Sequence, residues 1–173
     1  MVYVEKEIKL KVENFDNVIS KLKKLNAKFL GKTFQRTIRF EKGEGELEKK
    51  GLFLRVRKGF KNELTMKIKK NNDNVFEREE IEIEVEDTEK VRRIINNLGF
   101  DKEKIMEKNR SKWQLGEVDI CLDELPFGNF IEIEGEEKKI FETVEKLGLK
   151  KENKIIVTYW DLSESEDIVF PED

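Results

Sequence analysis

Charge in this chain is placed by parity. In MVYVEKEIKLKVE, Glu5, Glu7 and Lys9 alternate with Lys6, Ile8 and Leu10, and alternation marks a strand whose successive side chains point to opposite faces. The same pattern returns along the chain. Read for alternation and for bounding turn residues, it predicts eight strands over 2–13, 33–42, 52–58, 63–69, 75–86, 104–114, 117–124 and 129–135. Gly59-Phe60-Lys61-Asn62 and Leu115-Gly116 read as hairpin turns, and Asn71-Asn72-Asp73-Asn74 as a loop. Eight antiparallel strands are enough to close a barrel whose interior just holds side chains or one small ligand. Closure would also remove the exposed edges that so many strands otherwise leave.

Three of these strands lead into helices. NFDNVISKLKKLNAKF carries Phe15, Val18, Ile19, Leu22 and Leu25 at helical spacing. DTEKVRRIINNLGF carries Val91, Ile94, Ile95 and Leu98, and EKKIFETVEKLGL carries Ile140, Phe141, Val144 and Leu147. Gly99 and Gly148 stand where a helix C-cap belongs. Repeated strand–helix units without a solenoid period predict one closed, pseudo-symmetric α+β domain over 1–173, with a core over 1–162 and an acidic tail over 163–173.

The helices need an apolar surface to cover, which decides where the strand faces go. Ile8, Leu10, Phe53, Leu54, Ile68, Ile81, Ile83, Ile120, Leu122, Ile131 and Ile133 are expected outside, beneath them. The other face would turn inward with Glu5, Glu7 and Lys9; Arg55 and Arg57; Thr65, Lys67 and Lys69; and Arg78, Glu80 and Glu82. It would continue with Lys108, Arg110 and Lys112; Asp119, Cys121 and Asp123; and Glu132 and Glu134. Only 37% of residues are apolar against 42% charged, so a charged interior is also economical. Buried charge is costly unless paired or occupied by a ligand. A polyanion carrying a divalent cation would satisfy both signs. Arg and Lys would hold phosphate oxygens, and carboxylates would hold Mg²⁺ or Mn²⁺.

Other features narrow the class. The net charge of −3 gives no field for drawing the chain onto nucleic acid or an anionic membrane. There is no histidine, which removes the commonest acid–base residue and the imidazole ligand of zinc. Cys121 is the only cysteine, so no internal disulfide forms and a reducing compartment is expected. It reads as a packing residue, with nothing beside it to make a thiolate. No apolar run approaches the roughly 18 residues of a membrane span, and no leader is evident. The expectation is a soluble, cytoplasmic monomer or homodimer.

The set Glu5-x-Glu7-x-Lys9 resembles the ExExK signature of the CYTH superfamily, the triphosphate tunnel metalloenzymes. The resemblance continues in order through LFLRVRK, ELTMKIK, REEIEIE and EKNRSKWQLGEVDICLDELPFGNFIEIEG to VTYWDL. It implies an eight-stranded tunnel that binds a triphosphate with a divalent metal. Carried over, Glu5, Glu7, Glu132 and Glu134 resemble metal ligands, with Glu82 and Asp123 as further ones. Lys9, Arg55, Arg57, Lys67, Lys108 and Arg110 resemble the phosphate clamp. Glu5, Glu7, Lys9, Glu132 and Glu134 form the implied catalytic set.

Within the superfamily, the opening, Gln35 and GNFIEIE are similar to the class IV adenylate cyclase branch. That implies conversion of ATP to cyclic AMP and pyrophosphate. Thr37 and Arg39 depart from the branch's acid and aromatic; Arg39 would add a phosphate-binding cation and fit a triphosphatase of tripolyphosphate, thiamine triphosphate or a nucleoside triphosphate. A non-catalytic nucleotide or polyphosphate binder is the remaining alternative.

Overall fold

The computed structural model describes residues 2–70 and 75–164. The predicted Asn71-Asn72-Asp73-Asn74 loop and the tail from residue 165 lie outside the described residues. The order is β1 (Val2–Val12), α1 (Asp16–Lys24), β2 (Lys28–Glu41), α2 (Glu46–Lys49), β3 (Leu52–Lys58), β4 (Glu63–Lys69) and β5 (Phe76–Glu84). Then come α3 (Thr88–Asn97), β6 (Lys102–Leu115), β7 (Val118–Leu125), β8 (Gly128–Glu134), α4 (Glu137–Lys146), a 3₁₀ turn (Lys151–Asn153) and α5 (Tyr159–Glu164). The strands close into a barrel in the order β1-β5-β4-β3-β2-β6-β7-β8. All eight expected strands are present, and β2 begins five residues earlier than alternation suggests. Gly31, at φ 132°, sits in that added stretch in a conformation open to glycine.

The three long helices start and stop on local chemistry. Asp87 accepts from the backbone N–H groups of Glu89 and Lys90 at the start of α3, and Glu136 accepts from that of Lys139 at the start of α4. Asn26, Gly99 and Gly148 follow the three helices in the left-handed region, at φ 56°, 89° and 61°. Glycine was expected in two of these places; asparagine does the same work in the third.

The chain forms two compact units. The first holds the start of β1 through Glu5, β2 from Lys32, β3, β4, β5 from Glu77, α3 and β6 through Arg110. Its core is Ile38, Phe40 and Val56 of the sheet against Ile95 of α3, with Leu54, Leu64 and Val91 alongside. The second holds Lys6–Gly31, Phe76 and the described chain from Ser111. Here Ile8, Leu10, Ile120, Leu122, Ile131 and Ile133 pack against Val18 and Leu22 of α1 and Ile140, Val144 and Leu147 of α4. In the second unit the helices therefore cover the apolar parity of the strands; in the first, α3 covers Ile38, Phe40 and Val56, whereas Ile81 and Ile83 of β5, expected beneath a helix, are 41% and 54% exposed. Each covered side chain contributes roughly 1.5–3 kcal/mol by leaving water.

The assignment of Phe53 also needs correction. Phe53 shares the parity of Arg55 and is the register partner of Lys67, so it stands on the charged face. Its ring lies beneath the guanidinium groups of Arg39 and Arg78, at 5.3 and 5.8 Å from the centroid. A ring face attracts cations, and that attraction lets an aromatic sit among charges where hydropathy alone would move it to the other side.

Candidate functional site

On the face opposite α3, register sets the first unit's charges in rows. Arg39 faces Arg55 and Thr37 faces Arg57 between β2 and β3. Arg55 then faces Thr65, and Arg57 faces Glu63, on β4. On β5, Glu82 stands opposite Thr65 and Glu80 opposite Lys67. Cross-strand neighbours this close interact directly.

Lys67 joins two carboxylates. Its ammonium lies 2.5 Å from Glu5 and pairs with Glu80 as well, while the Tyr3 hydroxyl donates to Glu80 at 3.0 Å. Glu5 and Glu80 thus share one ammonium. Burial raises the pKa of Glu5 against the pull of Lys67. Burial acts the same way on Glu80, but Lys67, Arg55 and the contact with Glu5 outweigh it and hold that group below the ordinary carboxylate range. Of the two, Glu5 is the one whose charged form burial disfavours on balance.

The linkage has a definite sign. A raised folded pKa means that the folded state holds a proton the unfolded state releases, so stability falls as pH rises above Glu5's ordinary value of 4.5. Glu5→Gln removes that titration. The stability of the variant relative to the wild type should rise with pH from that value, by at most about 1.4 kcal/mol per pH unit. Urea melts at pH 4, 6 and 8 check this; a constant difference would contradict it.

The cations of the first unit are partnered unevenly. Arg57 donates from Nε to Glu63 at 3.0 Å; burial works against its charge, but Glu63 raises its pKa overall. Arg110 lies on β6, buried, close enough to Arg57 to oppose its charge, and Lys108 shares its face half-buried. Arg39 is held by Glu48 of α2 at 2.9 Å and lies 3.9 Å from Glu41. Thr65 donates to Glu82 at 3.3 Å. Arg55 differs from all of these. Its Nε is buried without a hydrogen-bond partner, and burial followed by the neighbouring Arg57 lowers its pKa.

The second unit presents a mostly acidic face. Glu7 faces Glu134, and Lys9 faces Glu132, between β1 and β8; on β7, Asp119 stands opposite Glu134 and Cys121 opposite Glu132. Lys9 pairs with Glu7 and lies 3.9 Å from Glu132. Its ammonium also sits over the rings of Phe76 and Tyr159, at 4.9 and 5.3 Å. The Tyr159 hydroxyl donates to the fully buried Asp123 at 2.8 Å. Lys112 pairs with Asp119 at 2.6 Å. That contact raises the lysine pKa although burial opposes it.

Each unit thus gathers its share of the expected residues on one face: Glu5, Glu82, Arg39, Arg55, Arg57, Lys67, Lys108 and Arg110 in the first, and Glu7, Lys9, Asp123, Glu132 and Glu134 in the second. Sequence reasoning turned Glu80 inward without giving it a site role, and it did not select Tyr3, Phe76 or Tyr159. Tyr3 shares parity with Glu5, which was a usable signal; Tyr159 belongs to a tail whose approach to Asp123 no periodicity reveals.

As to a divalent cation, the donor set is right in chemistry, since carboxylate oxygens suit hard ions. The carboxylates engage lysines, and among the described residues no three or more Asp, Glu, Cys or His converge as a ready-made metal cluster. Cation binding would therefore exchange lysine contacts for metal contacts.

Known proteins share this plan. A protein of Methanocaldococcus jannaschii named "Putative adenylate cyclase MJ0240" is 32% identical over 171 residues, covering 92% of this chain and 98% of its own. The PH1012 protein of Pyrococcus horikoshii OT3 superposes with a TM-score of 0.78 at 31% identity, covering 91% and 98% of the two chains. A Hippeastrum adenylyl cyclase homologue, described as having a dominant triphosphatase activity, shares the fold at 19% identity. Its TM-score is 0.60, with 96% of this chain and 94% of that one covered. The CYTH domain family model matches residues 4–159, and with that match and these relatives the chain belongs to the CYTH family.

Proposed function

We propose that the protein is a divalent-metal-dependent enzyme of the class IV adenylate cyclase type, converting ATP to cyclic AMP and pyrophosphate. One observation carries the triphosphate part of this reading: the Nε of Arg55 is buried without a hydrogen-bond partner, beside a second arginine. A desolvated pair of arginines is stabilised by an anionic ligand, and phosphate oxygens match the guanidinium fork. The adenylate cyclase name of the 32% identical relative supports the cyclase part.

In this reading Arg55, Arg57, Lys67, Lys108 and Arg110 bind the phosphates, with Lys9 on the acidic face and Arg39 reached through its contacts to Glu41 and Glu48. Glu5, Glu7, Glu82, Asp123, Glu132 and Glu134 provide the oxygen donors for Mg²⁺ or Mn²⁺. When bound, that ion would supply Lewis-acid polarisation of the phosphate and the attacking hydroxyl. Cyclisation forms a bond from the ribose 3′ oxygen to the α-phosphorus as the bond to pyrophosphate breaks. The arginines and lysines stabilise the charge that builds on the leaving pyrophosphate. With no histidine in the chain, carboxylates are left to take the hydroxyl proton.

The second reading, a triphosphatase, is favoured by the same arginine cluster, which addresses phosphate rather than nucleoside, and by the activity described for the Hippeastrum protein of the same fold. Incubation with ATP or tripolyphosphate and Mg²⁺ or Mn²⁺, followed by separation of products, decides between them. Cyclic AMP with pyrophosphate is expected. Orthophosphate from tripolyphosphate would establish the triphosphatase, and turnover of neither would sink both. Glu132→Gln and Glu134→Gln should each lower turnover by at least about a hundredfold, because outer-sphere changes alone cost tenfold to a hundredfold. Circular dichroism should show the fold intact, and full activity in both variants would place the metal elsewhere.

A further inference from the structure

Gln35 lies on β2 with the parity of Thr37 and Arg39, on the charged face of the first unit. It is 4% exposed, and its Oε1 has no hydrogen-bond partner. A buried amide oxygen left unsatisfied costs on the order of 1–3 kcal/mol. The position is built for it. Gly59 opens the β3–β4 turn, and a Cβ there would stand 3.0 Å from Gln35 Cγ and 3.2 Å from Nε2. Only the absence of a side chain at 59 lets the amide lie where it does. In the next row Thr37 faces Arg57, one strand repeat or roughly 7 Å away. Phe60, the next residue of the turn, leaves 45% of its surface exposed.

An acceptor wanting a donor, an amide N–H beside it, an exposed aromatic ring nearby and phosphate-binding arginines about one sugar's width away belong together chemically. We propose that Gln35 is the residue that reads the adenine of the substrate. This rests on the cyclase reading above and names the residue that sets its base specificity. The amide oxygen accepts from the exocyclic amine of adenine while Nε2 donates to the adjacent ring nitrogen, the pairing by which glutamine recognises adenine in nucleic acids. Phe60 offers a face on which a base can stack. Inorganic tripolyphosphate makes none of these contacts.

Inosine triphosphate tests the point, because it carries an oxygen where adenine carries the amine. Calorimetric titration with Mg²⁺ present should show the wild type binding ATP about tenfold or more tightly than inosine triphosphate. Gln35→Leu should bring the two together by weakening ATP, and should leave tripolyphosphate affinity within about twofold. Gly59→Ala provides an independent variant: its backbone lies outside the left-handed region, so alanine is tolerated there, yet the added methyl pushes the amide aside and should also erase the preference. A wild type that does not distinguish the two nucleotides overturns the inference, as does either folded variant that keeps the preference, while the triphosphate reading survives through tripolyphosphate binding. Failure of the wild type to bind tripolyphosphate or ATP overturns both.

Discussion

Arg55→Met is expected to cost triphosphate binding a hundredfold or more while leaving the protein at least as stable as the wild type. The two effects share one cause. The Nε of Arg55 is buried without a partner, and the group's charge is disfavoured by burial and by Arg57. Methionine keeps the apolar stem and removes an unfavourable charge, and replacing buried ions by apolar groups is often neutral or stabilising. A bound phosphate would gain one or two charge-assisted hydrogen bonds from the same guanidinium. At about 1.5–3 kcal/mol each, two of them amount to roughly a hundredfold to ten-thousandfold in affinity. Calorimetry with tripolyphosphate, paired with a urea melt, reads both quantities. Undiminished affinity would remove Arg55 from the clamp, and a large loss of stability would mean that the guanidinium serves the fold.

Lys67→Met should do the reverse, with a loss of about 3–5 kcal/mol in stability at pH 7. Lys67 is the cation shared by Glu5 and Glu80, and without it two buried carboxylates face each other. For a chain of this length that loss lowers Tm by about 6–20 °C. The deficit should shrink toward pH 4, because protonating the pair removes the uncompensated charge. Both acids would then have folded pKa values above their unfolded ones, which places their stabilising effect at low pH and its loss as pH rises. A variant as stable as the wild type at pH 8 would show that Tyr3 and Arg55 suffice to hold Glu80.

Strand parity made much of this legible before any coordinates. It separated Ile8 and Leu10 from Glu7 and Lys9, and the apolar stripes of α1, α3 and α4 named the covering helices. It could not say which charge meets which. Lys67 and Glu80 are opposite only because β4 and β5 adopt one register, and Arg39 turns to Glu48 because α2 forms from a stretch too short to show a period. Phe53 was assigned by hydropathy and lies with the cations, where the ring's electrons interact with guanidinium groups. The approach of Tyr159 to Asp123 depends on the course of the C-terminal segment. Parity locates a face; partners within it are settled in three dimensions.

That C-terminal segment has a bearing on how the chain reaches its native state. Lys9 and Ile155 exchange both backbone hydrogen bonds, at 3.0 and 2.7 Å, and β1 finds its register with β8, where Asn129 donates to the Glu13 carbonyl across 116 residues. The second unit therefore joins β1 to residues far along the chain. Contacts this distant in sequence carry loop-closure entropy before they return any stabilisation, and they slow folding relative to local pairings. On a ribosome, Ile8 and Leu10 would wait without partners until β8 and Ile155 had emerged. The β3–β4 hairpin needs no such delay, so it should gain hydrogen-exchange protection ahead of β1, whose edge is completed last.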